Sequence, residues 1–356
     1  MNPINYLTID VEDYFHVHAF SNFIKPDQWD TFECRVEKNV HHILDLLDGV
    51  NGDGSEVRTL KICDSLESTM GGKRRAIKAT FFILGWIAER YPRLVKEIHS
   101  RGHEIASHGY SHKVIYHQTQ EEFREDIRKS KQILEDLTGE AVIGYRAPTY
   151  SITNKTLWAL QILLEEGYKY DSSIFPIRHD YYGMPQCPRF PFLWNLDAPT
   201  PSIVDRPSSF LAPQHSSSLA SHPPSGQAFS PPSLPASQPP SFLASWPSSY
   251  LFEFPLSTLN LFGQRIPVAG GGYFRLFPYW FTRWALARVN SVEKQAFIFY
   301  LHPWEIDPDQ PRLSHVGVLS RFRHYNNLHK TKYRFTRLLQ DFSFTSILNG
   351  NPYLQN

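Results

Sequence analysis

Apolar and polar positions along this chain follow two alternating rhythms. Residues 6–9, 79–84 and 296–301 are short runs of β-branched and aromatic residues bounded by polar ones, which predicts buried strands. Between them the period lengthens. Val36, Val40, Ile43, Leu44 and Leu47 fall three or four apart, predicting one face of a helix. Pro92 opens a similar segment carrying Leu94, Val95 and Ile98, and Gly102 closes it. Thr119 and Glu122 precede Phe123, Ile127, Leu134 and Leu137, so a capping box is expected to start a third helix. Thr153 or Asn154 is expected to cap a fourth, running through Leu157, Leu160 and Leu164 to Gly167. Strand and helix in turn predict a parallel α/β core, either a barrel or a doubly wound sheet. In both, chemistry gathers at the carboxyl ends of the strands.

Two stretches break this rhythm. Residues 198–250 hold 12 of the chain's 27 prolines and 15 serines, with Asp205 and Arg206 as their charged residues. Proline recurs at 199, 207, 223, 231, 239 and 247, an octad missed at His215. A repeat so dense in proline cannot bury a continuous face, so a solvated, disordered insertion is expected. A proline-rich ligand for a partner domain is the alternative. The chain is thereby divided into 1–197, the insertion at 198–250, and 251–356. Residues 49–75, rich in Gly, Ser and charge, are expected to form a surface excursion.

Composition narrows the classes. With 356 residues and 41% hydrophobic content there is material for a sizeable core. A formal charge of +1 offers no field for non-specific nucleic-acid binding. No apolar run approaches the roughly 20 residues of a bilayer span, and no basic-then-apolar leader follows Met1. The three cysteines lack Cys-x-x-Cys spacing, which argues against a disulfide scaffold or a cysteine-built zinc site. The expectation is a soluble, cytoplasmic protein.

The candidate chemistry lies where the predicted strands end. The first strand runs into Asp10-Val11-Glu12-Asp13, and three acids so crowded repel one another unless a cation sits among them. His108 and His112 have the i, i+4 spacing that sets two imidazoles on one side of a helical turn, able to share a metal. The chain's 16 histidines produce about one such pair by chance, and His99 and His103 form a second. That second pair is read as surface and helix-end histidines, whereas His108 directly follows a short apolar strand. Further on stand Arg146 in Gly144-Tyr145-Arg146-Ala147-Pro148-Thr149-Tyr150, Asp171 in Asp171-Ser172-Ser173, and His302 in Tyr300-Leu301-His302-Pro303-Trp304. An Arg there can fork to a carboxylate. A strand-end His suits acid–base work. Gly270-Gly271-Gly272 is read as a tight turn, since no Gly-Lys-Ser/Thr follows it. Arg321, Arg323, His324 and Tyr325 are read as a solvated basic helix.

Taken in order, these motifs resemble the polysaccharide deacetylase family, the NodB-homology or carbohydrate esterase family 4 type. The resemblance covers residues 4 to about 180 and resumes from about 251. It is similar to the exopolysaccharide-locus branch, with its additional C-terminal region, in Thr8-Ile9-Asp10-Val11-Glu12-Asp13-Tyr14-Phe15, Ala269-Gly270-Gly271-Gly272-Tyr273-Phe274-Arg275 and Leu301-His302-Pro303-Trp304-Glu305. The resemblance implies a distorted (β/α)7 barrel that removes N-acetyl groups from an N-acetylhexosamine-containing polysaccharide or its precursor in exopolysaccharide biosynthesis. It implies Asp10 as general base, Arg146 orienting it, His108 and His112 as metal ligands, and His302 as general acid tuned by Asp171. The backbone N–H of Tyr150 would help hold the oxyanion. The family's second aspartate is replaced by Val11, which leaves Glu12 or Asp13 as third ligand. Zinc is the first choice for two histidines and a carboxylate, and cobalt or nickel fits the same donors. The implied partners are a glycan and, peripherally, an exopolysaccharide assembly system, with no nucleic acid and no transmembrane segment. Two rival readings are a cyclic-amide or ureide hydrolase on the same barrel, and a catalytically inactive glycan-binding module.

Overall fold

The computed structural model describes residues 3–49, 76–198, 200–204, 249–313 and 316–355. Its strands are β1 (Asn5–Val11), β2 (Thr80–Ile83), β3 (Glu104–Ser107), β4 (Gly144–Tyr145), β5 (Tyr170–Asp171), β6 (Phe192–Asn195), β7 (Ser202–Val204), β8 (Tyr250–Glu253), β9 (Thr258–Leu261), β10 (Gln264–Pro267), β11 (Ile298–Leu301) and β12 (Phe344–Thr345). The order β11-β1-β2-β3-β4-β5-β8 is parallel throughout, which gives the seven strands that the family resemblance implies. β6 and β7 extend it antiparallel beyond β8, β12 pairs with the start of β1, and β9 and β10 form a separate hairpin.

The parallel sheet curls on itself. Tyr6 of β1 meets Phe254, just past β8, at a centroid distance of 5.7 Å. Tyr170 of β5 meets both Phe82 of β2 (6.4 Å) and Phe254 (5.4 Å). Side chains separated by several strands touch in this way only in the interior of a barrel. Between β8 and β11 the described residues form no ladder, and the Ile298 N–H donates instead to Ser257 Oγ at 2.8 Å. The far end is plugged by the helix Ile347–Gly350, whose Ile347 and Leu348 amides donate to Thr80 Oγ1 and Glu104 Oε2, both at 2.8 Å. Burial raises the Glu104 carboxyl, and donors from Thr80 and Tyr170 satisfy it there.

Helices cover the outside. The predicted periodicities at Val36 and Pro92 become Val36–Asp48 and Pro92–Ser100, and Val40, Ile43, Leu44, Leu94, Val95 and Ile98 are buried. Each such side chain contributes roughly 1.5–3 kcal/mol when fully buried. The Thr119–Glu122 capping box is formed and starts Gln120–Thr138. The fourth helix begins later than predicted, at Trp158, because Thr156 Oγ1 ties residues 151–156 into a turn instead.

The excursion at 50–75 and the octad repeat at 205–248 lie outside the described residues. The repeat's flanks do not. Ser202–Val204 is strand β7 and Tyr250 opens β8, both paired to β6, so the compositional boundaries 198 and 250 fall inside the sheet's neighbourhood. β-branched Ile203 and Val204 explain the strand that proline and serine content concealed. Among the described residues no helix is long and apolar enough to cross a membrane.

Candidate active site

Asp10 and Arg146 form the innermost layer of the site. Arg146, following β4, is fully buried and every polar atom of its guanidinium is engaged. Nη1 donates to Asp10 Oδ1 (2.6 Å) and Thr8 Oγ1 (2.8 Å), Nη2 to Ser172 Oγ (2.7 Å), and Nε to the Ser172 carbonyl (3.0 Å). The group also lies 4.1 Å over the Phe82 ring. Burial alone would lower its pKa, but Asp10 beside it outweighs that and keeps the cation. The other Asp10 oxygen faces the mouth of the barrel, 3.4 Å from the Tyr150 hydroxyl and 3.9 Å from His302 Nε2.

Above this pair, Glu12, His108 and His112 bring one ligand atom each within 4.8 Å of one another. His108 Nδ1 lies 2.8 Å from the Arg146 carbonyl, which fixes that nitrogen as the proton carrier and leaves Nε2 as a lone pair facing the cluster. Thus one residue orients Asp10 with its side chain and His108 with its backbone. Burial pushes the His108 imidazole down to about 4, the neutral form a ligand needs. Burial would raise Glu12, but His112, His302 and His108 hold its carboxyl well below the usual range. Glu12 Oε1 accepts from Trp304 Nε1 at 3.2 Å. Its Oε2 lies 2.6 Å from His112 Nε2 but has no aligned donor. A buried, charged oxygen left without a donor beside two imidazole nitrogens suits a divalent cation.

The route to this geometry differs from the helical turn that the spacing suggests. Residues 108–112 form no helix: Gly109 has φ 73° and His112 φ 52°, so the chain doubles back in two left-handed steps. Asp126, on the helix Gln120–Thr138, latches this bend by accepting from the Tyr110 amide (2.7 Å), the Ser111 amide (3.0 Å) and the Ser111 hydroxyl. The decoy pair separates completely. His99 pairs with Glu140 at 3.3 Å on the surface. His103, expected at a solvated helix end, is buried with Nδ1 accepting from the Ala79 amide at 3.2 Å.

Three further expectations are corrected. Asp13 is not gathered with the histidines. Its Oδ2 accepts from the Arg35 (2.5 Å) and Val36 (2.8 Å) amides and its Oδ1 from Tyr14 (2.8 Å), so it satisfies the first amides of the helix Val36–Asp48. Asp171 does not reach His302. It accepts from the Ser173 hydroxyl (2.5 Å) and amide (3.2 Å) and hydrogen-bonds Glu253, while Ser173 Oγ accepts from the Ala147 amide at 2.7 Å. Its effect falls on the 146–150 loop. The Tyr150 amide is already committed to the Ala147 carbonyl at 3.0 Å, because Thr149 and Tyr150 are both left-handed (φ 56° and 54°) and close a tight turn.

The partner of His302 is Glu305. Their Nδ1 and Oε1 lie 2.6 Å apart, and Arg275 Nε holds the other carboxylate oxygen at 2.7 Å. Burial would lower the His302 pKa, but Glu305, Glu12 and Asp10 lift it to about 9. Its Nε2 faces the mouth, 3.5 Å from Glu12. The Trp304 ring is sandwiched between His302 (5.3 Å, 19°) and His324 (4.2 Å, 14°), so His324 is buried rather than solvated. The glycine run is a close approach: a Cβ on Gly270 would stand 1.9 Å from the Tyr300 carbonyl oxygen.

Residues 53–170 match the family model described as Polysaccharide deacetylase, and residues 216–349 match a domain of unknown function, DUF3473. His108, His112 and Arg146 fall within the first match, and Arg275, His302 and Glu305 within the second. Over 111 residues the chain is 39% identical to the peptidoglycan-N-acetylglucosamine deacetylase of Bacillus cereus, covering 31% of this chain and 38% of that one. Over 102 residues it is 36% identical to the peptidoglycan deacetylase of Helicobacter pylori, covering 29% and 34%. The chain thus spans about a third of the length of these relatives. A solved putative polysaccharide deacetylase from Mycobacterium smegmatis is similar with a TM-score of 0.48 at 15% identity, over 97% of this chain and 87% of that one.

Proposed function

Because the chain carries a polysaccharide deacetylase domain of the NodB type, we propose that it hydrolyses the N-acetyl groups of an N-acetylhexosamine-containing glycan, in the synthesis of an exopolysaccharide. One observation carries the reading. A buried two-histidine, one-carboxylate cluster lies between an Arg-bound aspartate and a carboxylate-bound histidine, at the carboxyl ends of β1, β3, β4 and β11.

Glu12, His108 and His112 are the residues that would hold a divalent metal, zinc by preference, and that ion would polarise an acyl carbonyl and acidify water. The chain's own groups supply the rest. Arg146 fixes Asp10 by Oδ1, leaving Oδ2 to take a proton from the attacking water. His302, held by Glu305 at Nδ1, presents Nε2 on the same side and delivers a proton to the leaving amine. The Tyr150 hydroxyl stands beside Asp10 and can donate to the acyl oxygen or the base. The Trp304 indole N–H donates to Glu12 Oε1 and so fixes the orientation of that carboxylate.

The test is metal analysis of the purified protein together with acetate release from chitooligosaccharides, before and after chelation. About one metal per chain and chelator-sensitive acetate release is the expected result. Bound metal without acetate, but with turnover of a ring ureide, would replace this reading with the cyclic-amide one. A chain that takes up no metal would overturn it in favour of glycan binding alone.

A further inference from the structure

The C-terminal region is charged and apolar in a way the active site does not use. Between Gln310 and Gln340 the sequence has seven Lys and Arg and no Asp or Glu, although the whole chain carries only +1. From Phe254 to Val292 there is again no acid. In the helix Val318–Tyr325, Val318, Leu319 and Phe322 occupy one face and are 83%, 61% and 56% exposed. In the helix Tyr279–Ser291, Trp280 and Trp284 stand one turn apart, 69% and 43% exposed, beside half-exposed Leu276. The two helices are linked through a buried arginine. Arg275, in the short helix leading to Tyr279–Ser291, donates to the carbonyls of Arg323 and His324, at the end of Val318–Tyr325. The rings of Phe277, Phe281 and Trp284 follow one another at 5.0 and 5.7 Å. Arg321 and Arg323 of the same helix as Val318 and Lys330 of the next one, Leu328–Asp341, are exposed, and among the described residues none of them is in an ion pair.

We infer that this face binds the surface of an anionic lipid bilayer. Clustered aliphatic and tryptophan side chains ringed by unpaired cations match an interfacial layer, where the apolar groups enter the acyl boundary and the cations meet headgroup phosphates. Two other occupants fit worse. A second copy of this chain, docked by two-fold symmetry, would set this cationic patch against itself. An anionic glycan would answer the arginines but leave Leu276, Val318 and Leu319 with nothing to bury against. The helix that exposes Val318, Leu319 and Phe322 buries His324 against Trp304, which stacks in turn on His302, so membrane contact through that helix would hold the mouth of the site near the lipid surface.

Sedimentation of the full chain with vesicles tests this independently of the deacetylase reading. Vesicles of phosphatidylcholine alone are compared with vesicles containing one quarter phosphatidylglycerol. Binding is expected to the anionic vesicles, to fall as salt is raised, and to blue-shift tryptophan emission. Substituting Val318→Ser, Leu319→Ser and Phe322→Ser together should weaken it roughly tenfold or more, while acetate release from soluble chitooligosaccharide stays at the wild-type level. Absence of binding to either vesicle, undiminished binding of the triple variant, or a concentration-dependent dimer that already shields the tryptophans would each overturn the proposal. Loss of activity on soluble substrate in the unsubstituted chain would count against the deacetylase reading and leave this one standing.

Discussion

Glu305 Oε1 lies 2.6 Å from His302 Nδ1, and the two residues are joined by a single turn, Pro303–Ile306, that also carries Trp304. The carboxylate that serves the histidine is therefore local to it, three residues on, and is anchored by Arg275 from a different helix. Replacing Glu305 by Gln keeps the shape but removes the charge that fixes the ring's tautomer. The expected loss in kcat is about 10²–10⁴-fold with metal content unchanged. Asp171→Asn, which leaves the His302–Glu305 pair intact, should cost far less. Steady-state kinetics with metal analysis on both variants decides the matter, and wild-type turnover by the Glu305 variant would sink the assignment.

Glu12 and Asp13 are neighbours with separate tasks, and substitution separates them. Glu12→Gln is expected to lose metal and acetate release together, as is His108→Ala. Asp13→Asn should retain metal but lower stability by about 1–2 kcal/mol, because three backbone amides lose a charged acceptor. His99→Ala should change neither, since His99 pairs with exposed Glu140 on the surface, away from the cluster. Metal content and thermal melts of the four proteins are the readout. Metal loss from the Asp13 variant with retention by the Glu12 variant would reverse the assignment.

Much of this arrangement was legible because short-range patterns were enough. The strand ending in Asp10, the helix at Val36 and the Thr119 capping box depend on neighbours within a few residues, and the structure has them where the sequence placed them. The motif order also named Asp10, Arg146, His108, His112 and His302, which the fold brings together. What stayed hidden were choices between chemically equal donors. Glu12 and Asp13 are both acids at a strand end, and only the distant helix start at Arg35 and Val36 claims one of them. Asp171 ends β5 and Glu305 lies in the turn after β11, and Ser173 with Glu253 captures the first. Glu305 had a local signal, an acid three residues after His302 at the start of a turn, the spacing of a capping box.

Gly270 packs against β11 with no room for a side chain. Its φ is 138°, and a Cβ would overlap the Tyr300 carbonyl oxygen at 1.9 Å. Gly270→Ala is expected to destabilise by several kcal/mol, through backbone strain and displacement of the strand that carries His302. Gly263→Ala provides the contrast. It has φ 80° but nothing within 4 Å, so the cost should be about 1 kcal/mol. Melting temperatures of the two variants should differ clearly, and equal values would show that the contact with Tyr300 is relaxed in solution.

The buried carboxyl pair Asp171–Glu253 predicts how stability changes with pH. Burial raises Asp171 to about 6, and burial together with Asp171 raises Glu253 well above its usual value, so the folded pair keeps a proton that the unfolded chain releases. Both folded pKa values are raised, so from about pH 4 upward the native state binds more protons than the unfolded one, to about pH 6 through Asp171 and beyond it through Glu253. Stability supplied by the pair is then complete below about pH 4 and declines as pH rises through 6, by on the order of 1–3 kcal/mol. Glu253→Gln mimics the protonated acid: its amide can donate to Asp171 and its oxygen can still accept from the Ile174 amide, as Glu253 does at 3.1 Å. The variant should match the wild type near pH 4 and exceed it increasingly toward pH 8, read as melting temperature against pH. Parallel curves for the two proteins would mean that the pair is ionised in the folded state and that the loop it supports at Ala147 is held by other contacts.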